Sequence, residues 1–227
     1  MEVLAKPYGP YATAMSAERA DARHTPVVPL EAGAGPENPP CPACGEPLFG
    51  WLGPRAGLGG PVARCESCGL GVVGGSAGAE EALEELDRLR RGEGPRIANR
   101  GSYACALGSA GWAGLEPGRH YLFTVEAVRR LVARRDQVVK SSRWAPGASL
   151  AATWQTMLNS VTFGHNVALA AFGRAGAAPA AHPWQRRLDA FISVLVAIPA
   201  LAIAIPIELC GGIFKRGAVY TLRFELL

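Results

Sequence analysis

Two pairs of cysteines, Cys41-Pro-Ala-Cys44 and Cys65-Glu-Ser-Cys68, constrain this chain more than anything else in it. A two-residue gap lets both sulfurs of a pair point at one ion from a tight turn. Gly45 and Gly69 follow the pairs, where the backbone must curl so that amides can face the sulfurs. Twenty residues separate the pairs, which is room for a short hairpin. Four sulfurs with no vacant position describe a closed structural zinc site rather than a catalytic one, with Cys41, Cys44, Cys65 and Cys68 as its ligands. Two disulfides, or four free thiols, are the alternatives that the spacing leaves open. Cys105 and Cys210 have no partner at metal-ligand spacing. No signal-peptide pattern precedes the pairs, so the expected setting is reducing and cytoplasmic.

Around this centre the chain divides by composition. With 28 glycines and 18 prolines in 227 residues, yet an apolar fraction of 49%, it should be globular in parts and loose in others. Residues 1–39 carry prolines among alanine, glycine and charge with no apolar period, and are expected to form a disordered tail. Residues 40–75 form the ribbon, in which Leu48, Phe49 and Trp51 should pack on the knuckles because so small a unit has little core besides its metal. Gly69-Leu-Gly-Val-Val-Gly74 spells a dinucleotide fingerprint by letter, but its first glycine belongs to the second knuckle and not to a turn after a strand.

Beyond the ribbon, Leu83, Leu86 and Leu89 recur under a charged face and predict a helix over 79–91, ended by Gly92, Gly94 and Pro95. Residues 96–100 read as a short strand. Thr124 is placed to cap a helix over 125–135, with Val128, Leu131 and Val132 inward and Arg129, Arg130, Arg134 and Arg135 on the solvated side. Residues 137–144 read as a strand. Ser149 should open a helix whose stripe of Leu150, Trp154, Met157, Leu158 and Val161 faces the core. From Ala190 to Ile207 there are eighteen uncharged residues, at the lower edge of what spans a bilayer. Arg186 and Arg187 precede that stretch, and Lys215 and Arg216 follow it, which gives no orientation by charge. Pro199 and Pro206 each remove a helix hydrogen bond, so a bent or re-entrant helix with both ends on the cytoplasmic face is expected; a buried core helix is the alternative. Residues 217–227 favour a strand.

The segment Ile97-Ala-Asn-Arg-Gly-Ser, then Gly111-Trp-Ala-Gly-Leu-Glu-Pro-Gly-Arg119-His120-Tyr-Leu-Phe-Thr124, then Val125 to Val139 resembles the C-terminal third of class I S-adenosylmethionine-dependent methyltransferases. A zinc ribbon ahead of the catalytic domain and a hydrophobic stretch near the C-terminus also occur in that group. The resemblance covers residues 40–75 and 96–227. Between those parts such enzymes carry a nucleotide-binding core of several strand–helix units, each of ~30 residues. Only residues 74–95 are available for it here, and no Asp-x-Gly-x-Gly turn occurs anywhere in the chain. The resemblance therefore implies a degenerate or truncated relative.

These readings combine into an α+β chain: a small four-cysteine zinc ribbon, a methyltransferase-like remnant α/β unit over 76–180, and a hydrophobic membrane-associated helix with a terminal strand over 181–227. The expected function is binding or scaffolding at a membrane, through residues 190–207 and a possible protein partner, with structural zinc and no S-adenosylmethionine site. The alternative keeps methyl transfer, with a partner supplying the donor fold or with an atypical donor site at Gly69–Gly75. His120 is the one candidate catalytic residue, as a base or an acceptor-orienting group by analogy with intact relatives. His24, His165 and His182 read as structural or surface residues. Arg55 and Arg64 are the only basic residues inside the ribbon, too few phosphate contacts for nucleic acid.

Overall fold

The computed structural model describes residues 38–53, 60–75, 78–92, 96–172, 180 and 182–226; the expected N-terminal tail lies outside them except for Asn38 and Pro39. Strands β1 (Leu48–Leu52), β2 (Val62–Cys65) and β3 (Gly71–Val73) form the antiparallel ribbon, with Leu48 opposite Cys65 and Ala63 opposite Val72. A fourth strand, β5 (Tyr121–Leu122), pairs antiparallel with β3 and extends this sheet. The ribbon is thus not packed as an island. Leu48, Leu70 and Val72 share one buried core with Leu86, Leu131 and Leu222 from the rest of the chain. Each such leucine contributes about 1.5–3 kcal/mol by burial, which a four-cysteine ribbon of this size could not collect alone.

Helix α1 (Ala79–Gly92) has Glu80 and Glu81 in its first turn and Arg90 and Arg91 in its last, matching charge to the helix dipole at both ends. Strand β4 (Arg96–Ala98) pairs with the last strand, β7 (Val219–Leu226), which also pairs with β6 (Gln137–Trp144); the order is β4-β7-β6. Every strand pairing among the described residues is antiparallel, unlike the parallel order of a strand–helix–strand unit. Helix α2 (Tyr103–Gly108) was not apparent in the sequence; Ser102 caps it by accepting from the Cys105 amide at 3.1 Å. Helix α3 (Val125–Val132) runs into a 3-10 turn at Ala133–Arg135, and its cap is Thr124, whose Oγ1 accepts from the Ala127 amide at 3.0 Å.

Helix α4 (Pro146–Asn159) corrects the sequence reading twice. It begins at Pro146, whose missing N–H costs nothing at a first turn, so Ser149 lies inside it. Its buried face is largely polar: Ser149, Thr153, Gln155, Thr156 and Asn159 are enclosed, and of the expected stripe Leu158 is buried as anticipated, whereas Leu150, Trp154 and Met157 are half-exposed and Val161, just past its end, is exposed. The reason is the irregular backbone packed against it. Thr156 Oγ1 accepts from the Ala113 amide at 3.0 Å, Asn159 Nδ2 donates to the Gly111 carbonyl at 2.9 Å, and Gln155 Oε1 accepts from the Leu169 amide at 2.8 Å. Buried loop amides and carbonyls need partners, and here side chains of α4 supply them. A short helix, α5 (Val167–Ala171), follows.

Helix α6 (Pro183–Ile213) is continuous through Pro199 and Pro206, about 46 Å long. It lies along α4, with Trp154 Nε1 donating to the Ala197 carbonyl at 2.9 Å. Where a bent or re-entrant helix was expected, the structure has one helix from Pro183 to Ile213 with both prolines inside it.

Candidate metal centre and apolar face

The four cysteine sulfurs lie within 4.8 Å of one another, with Cys41 Sγ 3.5 Å from Cys68 Sγ and Cys44 Sγ 3.4 Å from Cys65 Sγ. Tetrahedral coordination at ~2.3 Å per bond requires sulfur–sulfur edges of ~3.8 Å, so this set could hold a metal ion such as zinc. Each knuckle closes by an amide-to-carbonyl bond, Gly45 N to Cys41 O at 2.8 Å and Gly69 N to Cys65 O at 3.1 Å. Both glycines have positive φ, +81° and +76°. A β-carbon on Gly69 would come within 2.8 Å of Thr124 Cγ2.

Crowding four thiols creates an electrostatic conflict. The hydrogen bond from Cys68 draws the Cys41 thiol down to about 5, and the same contact pushes the Cys68 thiol up. Burial raises Cys44. Amides of Ala43 and Cys44 favour the Cys41 thiolate, and those of Glu46 and Leu70 act likewise on Cys44 and Cys68. Four thiolates become compatible when a cation sits among them. All six cysteines are free of disulfides.

The rest of the chain grips this centre from outside. Thr124 Oγ1 donates to the Cys68 carbonyl at 2.6 Å while capping α3, so one hydroxyl ties the second knuckle to a helix. Arg100 Nη1 donates to the Gly69 carbonyl at 2.8 Å, and Arg130 Nη1 to Ser67 Oγ at 3.3 Å. Leu48 is buried under the knuckles as expected; Phe49 is exposed, and Trp51 is half-buried beneath the Arg100 guanidinium at 4.4 Å.

His120 is not drawn into any cluster of titratable groups among the described residues. Its imidazole is exposed, while its backbone amide donates to Glu85 Oε2 at 3.1 Å and its carbonyl accepts from Val73. Glu85 also accepts from the Tyr121 amide at 3.3 Å, so this segment is held by a carboxylate on α1. His182 precedes α6, with its amide donating to Gln185 Oε1 at 3.2 Å; His165 is half-buried, and His24 lies outside the described residues. The glycine run offers no phosphate turn. Gly69 closes a knuckle, and Gly71 lies in β3 with Leu122 Cβ 3.0 Å from where its own β-carbon would stand.

The second feature is α6. Asp189, Ala200, Ala204, Glu208 and Gly211 form its buried stripe. Asp189 accepts from the Phe163 and Gly164 amides at 2.7 and 2.8 Å, and Glu208 accepts from Trp144 Nε1, Thr153 Oγ1 and the Ala218 amide. Two satisfied carboxylates therefore pin the ends of the helix to the domain. On the opposite side Val194 is 79% exposed and Ile198 80%, in line with Phe191, Leu195, Leu209 and Ile213. Only 11% of the most apolar 18-residue stretch is buried inside the protein. The helix is long and apolar enough to cross or anchor to a membrane. A cavity of ≈ 310 Å³ beside Trp112 and Ala152 holds Arg96, Arg119 and Glu116, of which Arg119 and Glu116 pair at 2.6 Å.

Comparison with family models, with curated proteins and with solved structures finds no match to this chain.

Proposed function

We propose that this chain is a zinc-stapled membrane-docking protein that acts by binding. The observation that carries the reading is the uncovered apolar face of α6, opposite the stripe that Asp189 and Glu208 fasten to the domain. A helix fastened to the domain along one side cannot be surrounded by lipid on all sides. It suits an in-plane position, apolar side down, with Arg186 and Arg187 at one end and Lys215 and Arg216 at the other reaching anionic head groups. Free thiols at the metal centre fit the cytoplasmic leaflet. Zinc is the ion this four-sulfur set suits best, and its role is to hold the ribbon that packs into the common core.

Descent from S-adenosylmethionine-dependent methyltransferases is part of the proposal, resting on the segment from Arg119 to Thr124 and on the order of modules. Turnover is not. Antiparallel sheets offer no crevice at the carboxyl ends of parallel strands, where such folds hold nucleotides. Calorimetric titration of the zinc-loaded protein with S-adenosylmethionine should give no heat of binding; micromolar binding would restore the enzyme reading, and His120→Ala would then be its next test.

The docking face is tested by flotation with phosphatidylcholine vesicles. The wild-type chain should float, and Val194→Asp with Ile198→Asp should stay in solution with zinc content unchanged, because a carboxylate in the acyl region costs several kcal/mol. Equal flotation of the two proteins would sink the reading. So would a stable dimer, without vesicles, that those substitutions dissolve.

A further inference from the structure

Where the ribbon approaches the end of α6, positive charge gathers with little acid to meet it. Two cavities of ≈ 330 Å³ and ≈ 520 Å³ share Gly101 and Arg216 in their walls. The first is lined by Arg64, Arg100 and Arg216, the second by Arg129, Lys215 and Arg216. Among the described residues Glu126 is the one carboxylate lining either, and it is already engaged by Arg130 at 2.9 Å and Arg129 at 3.8 Å. Glu66 reaches Arg64 at 3.2 Å outside the cleft, where both side chains are open to solvent and such a pair is weak.

The cations are positioned rather than loose. Arg100 is fixed by Gly69 O and by the Trp51 ring, leaving a buried Nε that meets no hydrogen-bond acceptor. Burial works against its charge; Cys105 offsets that in part, Arg64 adds like-charge repulsion, and Cys68 and Cys65 contribute a smaller offset. Arg216 lies over the Tyr103 ring at 5.0 Å and donates from Nε to the Gly101 carbonyl at 3.2 Å. In the second lobe the buried Tyr220 hydroxyl has no hydrogen-bond partner; burial pushes its pKa up, the nearby Gly217 amide works the other way, and the charge of Glu208 adds to the rise. Fixed guanidiniums around a concave space, with polar hydrogens left over, are what a compact anion with several acceptor oxygens needs.

We propose that this cleft binds the phosphomonoester head group of a lipid in the bilayer on which α6 lies, an inference that rests on the docking reading above. A phosphomonoester offers three terminal oxygens and about two charges to several cations at once. The bilayer is the favoured source because the cleft opens at the apolar corner: exposed Ile213 and Phe214 lie in the chain between Gly212 and Lys215, which both line it. Nucleic acid would call for a longer basic track with stacking platforms; of the aromatics lining the cleft, Trp51 is covered by Arg100, Tyr220 is buried, and Trp144 is half-buried with its Nε1 bound to Glu208.

The experiment uses the zinc-loaded full chain and three vesicle types: phosphatidylcholine alone, and the same with an equal molar share of phosphatidylglycerol or of phosphatidic acid. Phosphatidic acid should bind about tenfold more tightly than phosphatidylglycerol. Lys215→Gln with Arg216→Gln, two exposed positions, should erase that preference, so that phosphatidic acid and phosphatidylglycerol vesicles bind alike. The charge-matched control Arg91→Gln with Arg134→Gln, in neither lobe, should keep it. Equal affinity for the two anionic vesicles, or equal loss in the control, would overturn the cleft while leaving docking in place. Absence of flotation on all three would overturn the docking reading first. Glycerol 3-phosphate competing as strongly as the vesicles would move the ligand from bilayer to solution, and tighter binding of an RNA or DNA oligonucleotide would replace the lipid altogether.

Discussion

Replacing Glu208 by glutamine asks whether a buried carboxylate really clamps the apolar helix to the domain. Glu208 is 3% exposed; one oxygen accepts from Thr153 Oγ1 and the other from Trp144 Nε1 at 3.2 Å and the Ala218 amide at 3.4 Å. A glutamine can turn its NH2 toward the Thr153 hydroxyl, which is able to accept, and keep its oxygen for the other two donors. Three charge-assisted bonds then become three neutral ones, and the Thr153 hydroxyl hydrogen and the second amide hydrogen must find other acceptors, which adds to the loss. The difference is about 1 kcal/mol per bond, less for the long one to Ala218, so the expected loss is about 2–3 kcal/mol. Urea unfolding of the zinc-loaded protein in detergent, followed by tryptophan fluorescence, reads this as a lower midpoint at unchanged slope. Glu225→Gln serves as the comparison. It removes an exposed 2.8 Å pair with Lys140, for which no more than about 1 kcal/mol is expected. Glu208→Gln within about 0.5 kcal/mol of the wild type, or equal to Glu225→Gln, would refute the clamp.

Three other substitutions or treatments probe the remaining contacts. Cys65→Ser should lower zinc affinity by orders of magnitude and loosen the shared core, measured as metal content and proteolytic nicking of the ribbon, whereas an unaffected zinc content would remove Cys65 from the site. Thr124→Val deletes both the α3 cap and the bond to the Cys68 carbonyl, for a loss of about 2–3 kcal/mol in urea unfolding, with Thr124→Ser retaining most of the stability. Burial pushes the Cys105 thiol up to about 12, so at neutral pH it stays protonated and should resist iodoacetamide while exposed Cys210 reacts. Phosphatidylcholine vesicles should slow the Cys210 reaction, and modification of Cys105 before Cys210 would contradict the packing.

Much of the architecture was legible because its signals are local. Cysteine pairs at fixed spacing, Thr124 ahead of an amphipathic run, and strands at Arg96–Ala98, Gln137–Trp144 and Val219–Leu226 are each written in a few adjacent residues. Helix α4 was misread for the opposite reason. An apolar stripe normally faces the core, and nothing near Ser149 or Asn159 announces that distant loops at Gly111, Ala113 and Leu169 will need their polar atoms. Helix α2 is six residues, too short to announce itself by a period, and is stabilised by a cap and by tertiary packing.

The candidate sites divide the same way. Sequence alone determined the four-cysteine cluster and the apolar run, because cysteine spacing and hydrophobic length are properties of a short stretch of chain. Only the tertiary structure decided that the ribbon shares its core with the segment after it, and that α6 is pinned by Asp189 and Glu208 with one face uncovered. The same holds for the gathering of Arg64, Arg100, Arg129 and Arg216, which lie far apart in the chain, around one cleft. Those are relations between distant residues, set by which surfaces satisfy one another when the chain closes, and no local period encodes them.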